Sequence, residues 1–182
     1  MALNDPLKKA ILNLPTREKD KLLLRLITKD RVLADKLHFE LIEGSATVEE
    51  RKSVIFEHIA LLGKTNHSSA GWLMMDLRTL SGEITYHVKI TKDKYGEIEL
   101  LLRMLTTAFA THSEQLSNYN SRTDKCALYM AKKVKLVLAR LAKLDEEYYV
   151  DFENEVNVLL QYIHSHCTRM YAAQLALPRQ WP

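Results

Sequence analysis

Glycine and proline are scarce in this chain, five and four residues among 182, against an average usage of about 12% for the two together. That scarcity argues against a turn-dense β-sandwich, a collagen or a low-complexity linker and leaves long helices as the economical architecture. Cysteine is scarcer still. Cys126 and Cys167 stand far apart with no C-x-x-C spacing, which fits neither a disulfide framework nor a thiolate zinc site. Both are expected as buried thiols in a reducing compartment. No charge of one sign dominates either: the net charge is +3 with 27% charged residues, too little to dictate a polyanionic partner and too balanced for a disordered chain. No apolar run approaches the roughly 20 residues that span a bilayer, and the opening Met1-Ala-Leu-Asn-Asp-Pro-Leu-Lys-Lys has no signal-peptide core. A cytoplasmic protein with no membrane partner is expected.

What is present is a 47% apolar composition, enough for a sizeable core, arranged in leucine-rich stripes. They predict an all-α fold in one domain, residues 1–182, with sub-layers 1–62 and 70–176 and a tail at 177–182. Asn4 or Asp5 before Pro6 starts a short helix ending near Asn13. Leu14-Pro15-Thr16 breaks it, and Thr16 is expected to cap a helix carrying Leu22, Leu23, Leu26 and Ile27. Asp30 restarts the pattern for a helix that stops at Gly44. Thr47 and Glu50 fit a capping box before Ile55, Phe56, Ile59 and Leu62.

The polar stretch 63–70 predicts a turn between helical layers. Beyond it, Leu73, Leu77, Leu80, Ile84 and Val88 fit a helix, whereas Ile84, Tyr86, Val88 and Ile90 alternate as a strand would. Helix is preferred, because Leu73 to Leu80 is helical only. A stripe of Ile98, Leu101, Leu102, Leu105 and Phe109 is expected to run to about Leu116. Two long segments follow, 122–144 and 146–175, which read as an antiparallel helical hairpin joined at Leu144-Asp145. The whole is expected as helical hairpins packed in a bundle or a short right-handed α-α superhelix.

Segment 122–143 holds Arg122, Lys125, Lys132, Lys133, Lys135, Arg140 and Lys143 against Asp124 alone. At about 100° per residue these bases share one side, with Tyr129 and Leu136 among them, opposite Cys126, Met130, Val134, Val137, Leu138 and Leu141. Residues 145–155 carry six acids and no base. The two blocks are read either as solvated faces pairing loosely across the hairpin or as a basic surface for phosphate or an acidic protein, with Lys125, Tyr129, Lys132, Lys133, Lys135, Leu136 and Arg140 as contact residues.

Reactive chemistry finds little foothold. Glu83 and His87 lie four apart on one helix face, as two metal ligands could, but two ligands do not make a site. His164 and His166 diverge by about 200° on a helix. Paired Glu-x-x-His motifs and G-x-S-x-G are absent, and Gly63-Lys64-Thr65 lacks the upstream glycine of a phosphate loop. The short helices at 17–43 meet too tightly at Lys29-Asp30 for a DNA-binding helix-turn-helix. The apolar tail with Leu175, Leu177 and Trp181 is expected to dock on its own fold.

Leu14-Pro15-Thr16-Arg17-Glu18 through Leu22–Leu26, followed by Leu37-His38-Phe39-Glu40-Leu41-Ile42, resembles an all-helical bacterial family of unknown function, the likeness covering roughly residues 14–110. It implies a helical, repeat-like fold and carries no catalytic residue. The expected function is a non-enzymatic protein-interaction or scaffold domain with an unknown protein partner or a second copy of itself and no cofactor. The alternatives are a nucleic-acid or phosphate-binding module on the basic face of 122–143 and a metal-binding helical bundle.

Overall fold

The computed structural model describes residues 3–181. Helix makes up 79% of the described residues and no strand occurs among them, so residues 84–90 are helical despite their alternation. The chain forms two compact units, Met1–Ser45 and Ala46–Pro182. The 63–70 stretch, expected to separate layers, lies inside the second.

The first unit holds α1 (Asp5–Asn13), α2 (Thr16–Ile27) and α3 (Arg31–His38). Asn4 caps α1 by accepting the Leu7 N–H at 3.1 Å, and Asp30 caps α3 through Leu33 at 3.1 Å. Thr16 does not cap α2: the cap position is Pro15, and Thr16 is already helical. α3 continues into one wide turn, Phe39–Glu43, closed by the Gly44 N–H on Phe39 O at 2.7 Å. Gly44 takes φ 69°, a conformation in which glycine carries no Cβ penalty. None of α1, α2 and α3 contains a buried residue, and Phe39 alone is buried in the turn that follows.

The second unit holds α4 (Val48–Lys64), α5 (Ala70–Thr91), α6 (Lys94–Thr111), α7 (Ser113–Leu116), α8 (Asp124–Leu141), α9 (Tyr149–Ser165) and α10 (Arg169–Gln174). Every member of its core cluster lies at or beyond Ile55. α6 is the helix the others surround, touching α4, α5, α8 and α9. Leu100, Leu101, Leu102, Met104 and Leu105 are all buried, because neighbours cover most of the helix and only the side carrying Glu99, Arg103 and Ala110 reaches solvent. The expected stripe missed Leu100 and Met104 for that reason. Gly63 lets α4 come close to α6, since a Cβ there would stand 3.1 Å from the Thr107 methyl.

Several boundaries differ from expectation. Thr47 is helical in φ and ψ and makes no side-chain cap, so the capping box with Glu50 does not form. α6 ends at Thr111 and α7 is a separate turn. Segment 146–175 is not one helix: His166 is extended, the Cys167 N–H donates to Leu116 O at 2.8 Å, and α10 starts afresh. α8 and α9, joined by residues 142–148, both pack on α6. The tail docks as expected, with Leu177 and Trp181 buried and the Trp181 N–H on Asn157 Oδ1 at 2.8 Å.

Candidate functional site

The basic face of α8 is divided. Lys125, Lys132 and Lys135 are exposed, while Tyr129, Lys133 and Leu136 are half-buried. Tyr129 and Leu136, expected as surface contacts, pack against the core. The Tyr129 hydroxyl meets Ser81 Oγ at 2.9 Å and Leu77 O at 3.2 Å on α5, and burial raises its pKa against the pull of the Ser81 bond. The Lys133 ammonium lies 5.5 Å from the Tyr129 ring centroid. Burial lowers its pKa, with Glu97 acting the other way. Arg140 pairs with the buried Glu97 of α6 at 3.3 Å. One edge of the face thus anchors α8 to α5 and α6, and only the other edge is free. No ion pair joins the basic residues of α8 to the acids of 145–155 among the described residues.

Near the C-terminal end of α8, a cleft of about 450 Å³ opens beside the joint of α5 and α6. Lys89, Lys92, Lys94, Arg140 and Lys143 line it, with Val88 and Leu144 supplying apolar wall. Lys92 closes α5 in the left-handed conformation, φ 63° and ψ 17°, with its N–H on Val88 O at 2.9 Å. Asp93 caps α6 by accepting the Gly96 N–H at 2.8 Å and meets His87 Nε2 at 3.4 Å. Desolvation raises the Asp93 pKa, but the His87 and Gly96 hydrogen bonds and the nearby Lys52 charge outweigh it, leaving the carboxyl below its ordinary value.

Lys52 is buried between Glu49 and Glu99, at 2.9 Å from each. Burial opposes its charge, yet the two carboxylates prevail and hold the ammonium above the usual lysine value. The sequence reading passed over this residue. Its signal is spacing: Lys52, Ile55, Ile59 and Leu62 recur at three and four, so a lysine occupies a core-facing position and needs partners there.

Glu83 and His87 do not converge on a metal. Glu83 meets His58 of α4 at 2.7 Å, whereas His87 turns to Asp93. Among the described residues no group of three or more histidines, cysteines and acids is placed to hold a metal ion. A second imidazole pair, His67 and His112, packs edge to face with centroids 4.7 Å apart. His67 meets Asp76 at 2.8 Å and His112 meets Leu62 O at 3.4 Å. Desolvation lowers the His112 pKa, with the His67 charge adding to it and the Leu62 carbonyl opposing. Cys126 and Cys167 are buried, and desolvation pushes their pKa values up to about 12 and about 11, which leaves little thiolate at neutral pH. None of the helices among the described residues is long and apolar enough to cross a membrane.

No protein-family model, curated protein or solved structure matches the chain.

Proposed function

We propose that the protein is a non-enzymatic interaction protein whose first unit supplies a leucine-lined protein-binding surface. The observation carrying this reading is the exposure of apolar side chains between α1 and Gly44. Leu23, Leu24, Leu26, Leu41 and Ile42 are all more than half exposed, Leu41 reaching 78%. A 45-residue unit has too little interior to bury its own leucines, and exposed apolar faces on amphipathic helices mark surfaces that another chain covers. The nucleic-acid alternative has less support, because Tyr129, Lys133, Leu136 and Arg140 are engaged in holding α8 to its neighbours.

A photoreactive amino acid placed at Leu41 in the full chain tests the reading in cells of the source organism. One discrete adduct is expected, of doubled mass or with one other protein, and it should disappear in a Leu24→Ser, Leu26→Ser background. No adduct, or one indifferent to those changes, refutes the proposal.

A further inference from the structure

We propose that the cleft at the α5–α6 joint binds a small anion carrying at least two phosphate groups. The inference is independent of the protein-binding surface proposed for the first unit.

Its first support is charge without counter-charge. Lys89 comes from the end of α5, Lys92 from the joint, Lys94 from the start of α6, and Arg140 and Lys143 from the end of α8 and beyond. The one carboxylate in the lining, Glu97, is engaged by Arg140 at 3.3 Å. Lys89, Lys92, Lys94 and Lys143 form no ion pair with a described residue. Cations gathered from three segments around one concavity repel each other, and low-dielectric walls concentrate their field on whatever enters. A bound polyanion relieves that repulsion.

The backbone at Lys92 is the second support. A left-handed residue closing a helix is the position where glycine is most favoured, because a side chain there carries a steric penalty. This chain has a lysine at φ 63°, and that lysine lines the cleft. Size is the third. About 450 Å³ lies within the range of small-molecule sites, roughly 300 to 1,000 Å³, and Val88 with Leu144 offers contact to an organic group beside the phosphates.

The same neighbourhood disfavours a long polyanion. Leu144 is followed by exposed Asp145, Glu146 and Glu147, so a nucleic-acid strand leaving the cleft on that side would run into three carboxylates. A compact oligophosphate avoids them.

Isothermal titration of the full chain with inorganic tripolyphosphate and, separately, with ATP tests the proposal. One-to-one binding that weakens as salt rises is expected. Tighter binding of ATP assigns the ligand to the organic phosphates, and equal binding to phosphate chains alone; both support the site. Lys92→Gly and Lys143→Ala should each weaken binding about tenfold, the loss expected for one charge-assisted contact. Lys132→Ala with Lys135→Ala should leave it unchanged. Lys92→Gly suits the backbone it enters, so unchanged or raised thermal stability separates lost binding from lost folding. Absence of binding by both probes at millimolar concentration overturns the site, as does affinity indifferent to Lys92→Gly and Lys143→Ala. Tighter binding of a single-stranded oligonucleotide that depends on Lys132 and Lys135 would equally overturn it.

Discussion

Replacing Gly96 by alanine probes the α5–α6 joint most directly. An added Cβ would stand 2.0 Å from Asp93 Oδ2, 2.7 Å from Asp93 Cγ and 2.8 Å from Lys52 Cδ. Asp93 is not free to yield, because one oxygen caps the Gly96 N–H at 2.8 Å and the other faces His87. Lys52 is no freer, its ammonium being fixed by Glu49 and Glu99. Loss of the cap costs about 1 kcal/mol, and displacing a partner in the buried ion cluster costs a further ~1 to 3 kcal/mol. Alanine recovers about 1 kcal/mol of helix propensity over glycine. The net destabilisation is about 1 to 3 kcal/mol. Gly82→Ala is the control, since a Cβ there meets nothing within 4 Å and should stabilise by about 0.5 to 1 kcal/mol. Urea denaturation monitored by helical circular dichroism compares the two, and the Gly96 effect should shrink in an Asp93→Ala background because the two sites share one contact. If Gly96→Ala is neutral, or shifts the midpoint in the same direction as Gly82→Ala, the description of this joint is wrong.

Other consequences can be checked on the same protein. Tyr129→Phe should lower stability by about 0.5 to 1.5 kcal/mol through its two lost hydrogen-bond partners, while Lys132→Ala and Lys135→Ala should stay within about 0.5 kcal/mol of the parent; a larger lysine effect contradicts the division of the α8 face. Cys126 and Cys167 should resist iodoacetamide at neutral pH and react at the rate of global unfolding, and fast labelling in native buffer would contradict their burial. Because the folded His112 pKa is depressed below its ordinary 6.5, the unfolded chain takes up its proton first. Its contribution is therefore complete above about pH 6.5 and is lost as pH falls through the folded value, so His112→Gln should flatten the denaturation midpoint between pH 7 and 5. Residues 46–182 expressed alone, which contain the whole core cluster, should keep a cooperative melt; loss of that melt means the core depends on the first unit.

The legibility of the fold followed the source of each element's stability. Helices with a repeating apolar side were plain: Leu73, Leu77, Leu80 and Ile84 place α5 on its own evidence of spacing, and all are buried. Caps were readable where an asparagine or aspartate with extended backbone precedes the first turn, as at Asn4 and Asp30, and misread at Thr16 and Thr47, whose backbone is already helical and whose side chains make no cap. The break at His166 was hidden because the apolar period runs through it from Ile163 to Cys167 and Met170. What ends α9 is a long-range bond from Cys167 to Leu116, which no local pattern announces. The cleft was missed for a related reason. Lys89, Lys92 and Lys94 look like an ordinary polar joint in sequence, and Arg140 and Lys143 like the tail of an amphipathic face; only packing of α8 against the α5–α6 joint brings them to one place.

The histidines bear most directly on whether a reaction is performed. All seven have a hydrogen-bond partner: His38 with Glu43, His58 with Glu83, His67 with Asp76, His87 with Asp93, and His112, His164 and His166 with backbone carbonyls. A general base needs an open face toward a substrate and a partner that orients it from behind. Here the partners hold helix to helix or helix to turn. His58 with Glu83 ties α4 to α5, and His87 with Asp93 ties α5 to the cap of α6. Four of the seven thus hold a carboxylate, whereas Lys89, Lys92, Lys94 and Lys143 around the cleft form no ion pair with a described residue. His58→Gln should accordingly shift the unfolding midpoint while leaving tripolyphosphate affinity at Lys92 and Lys143 unaltered, and a change there that abolished anion binding without altering stability would place chemistry where this reasoning puts only support.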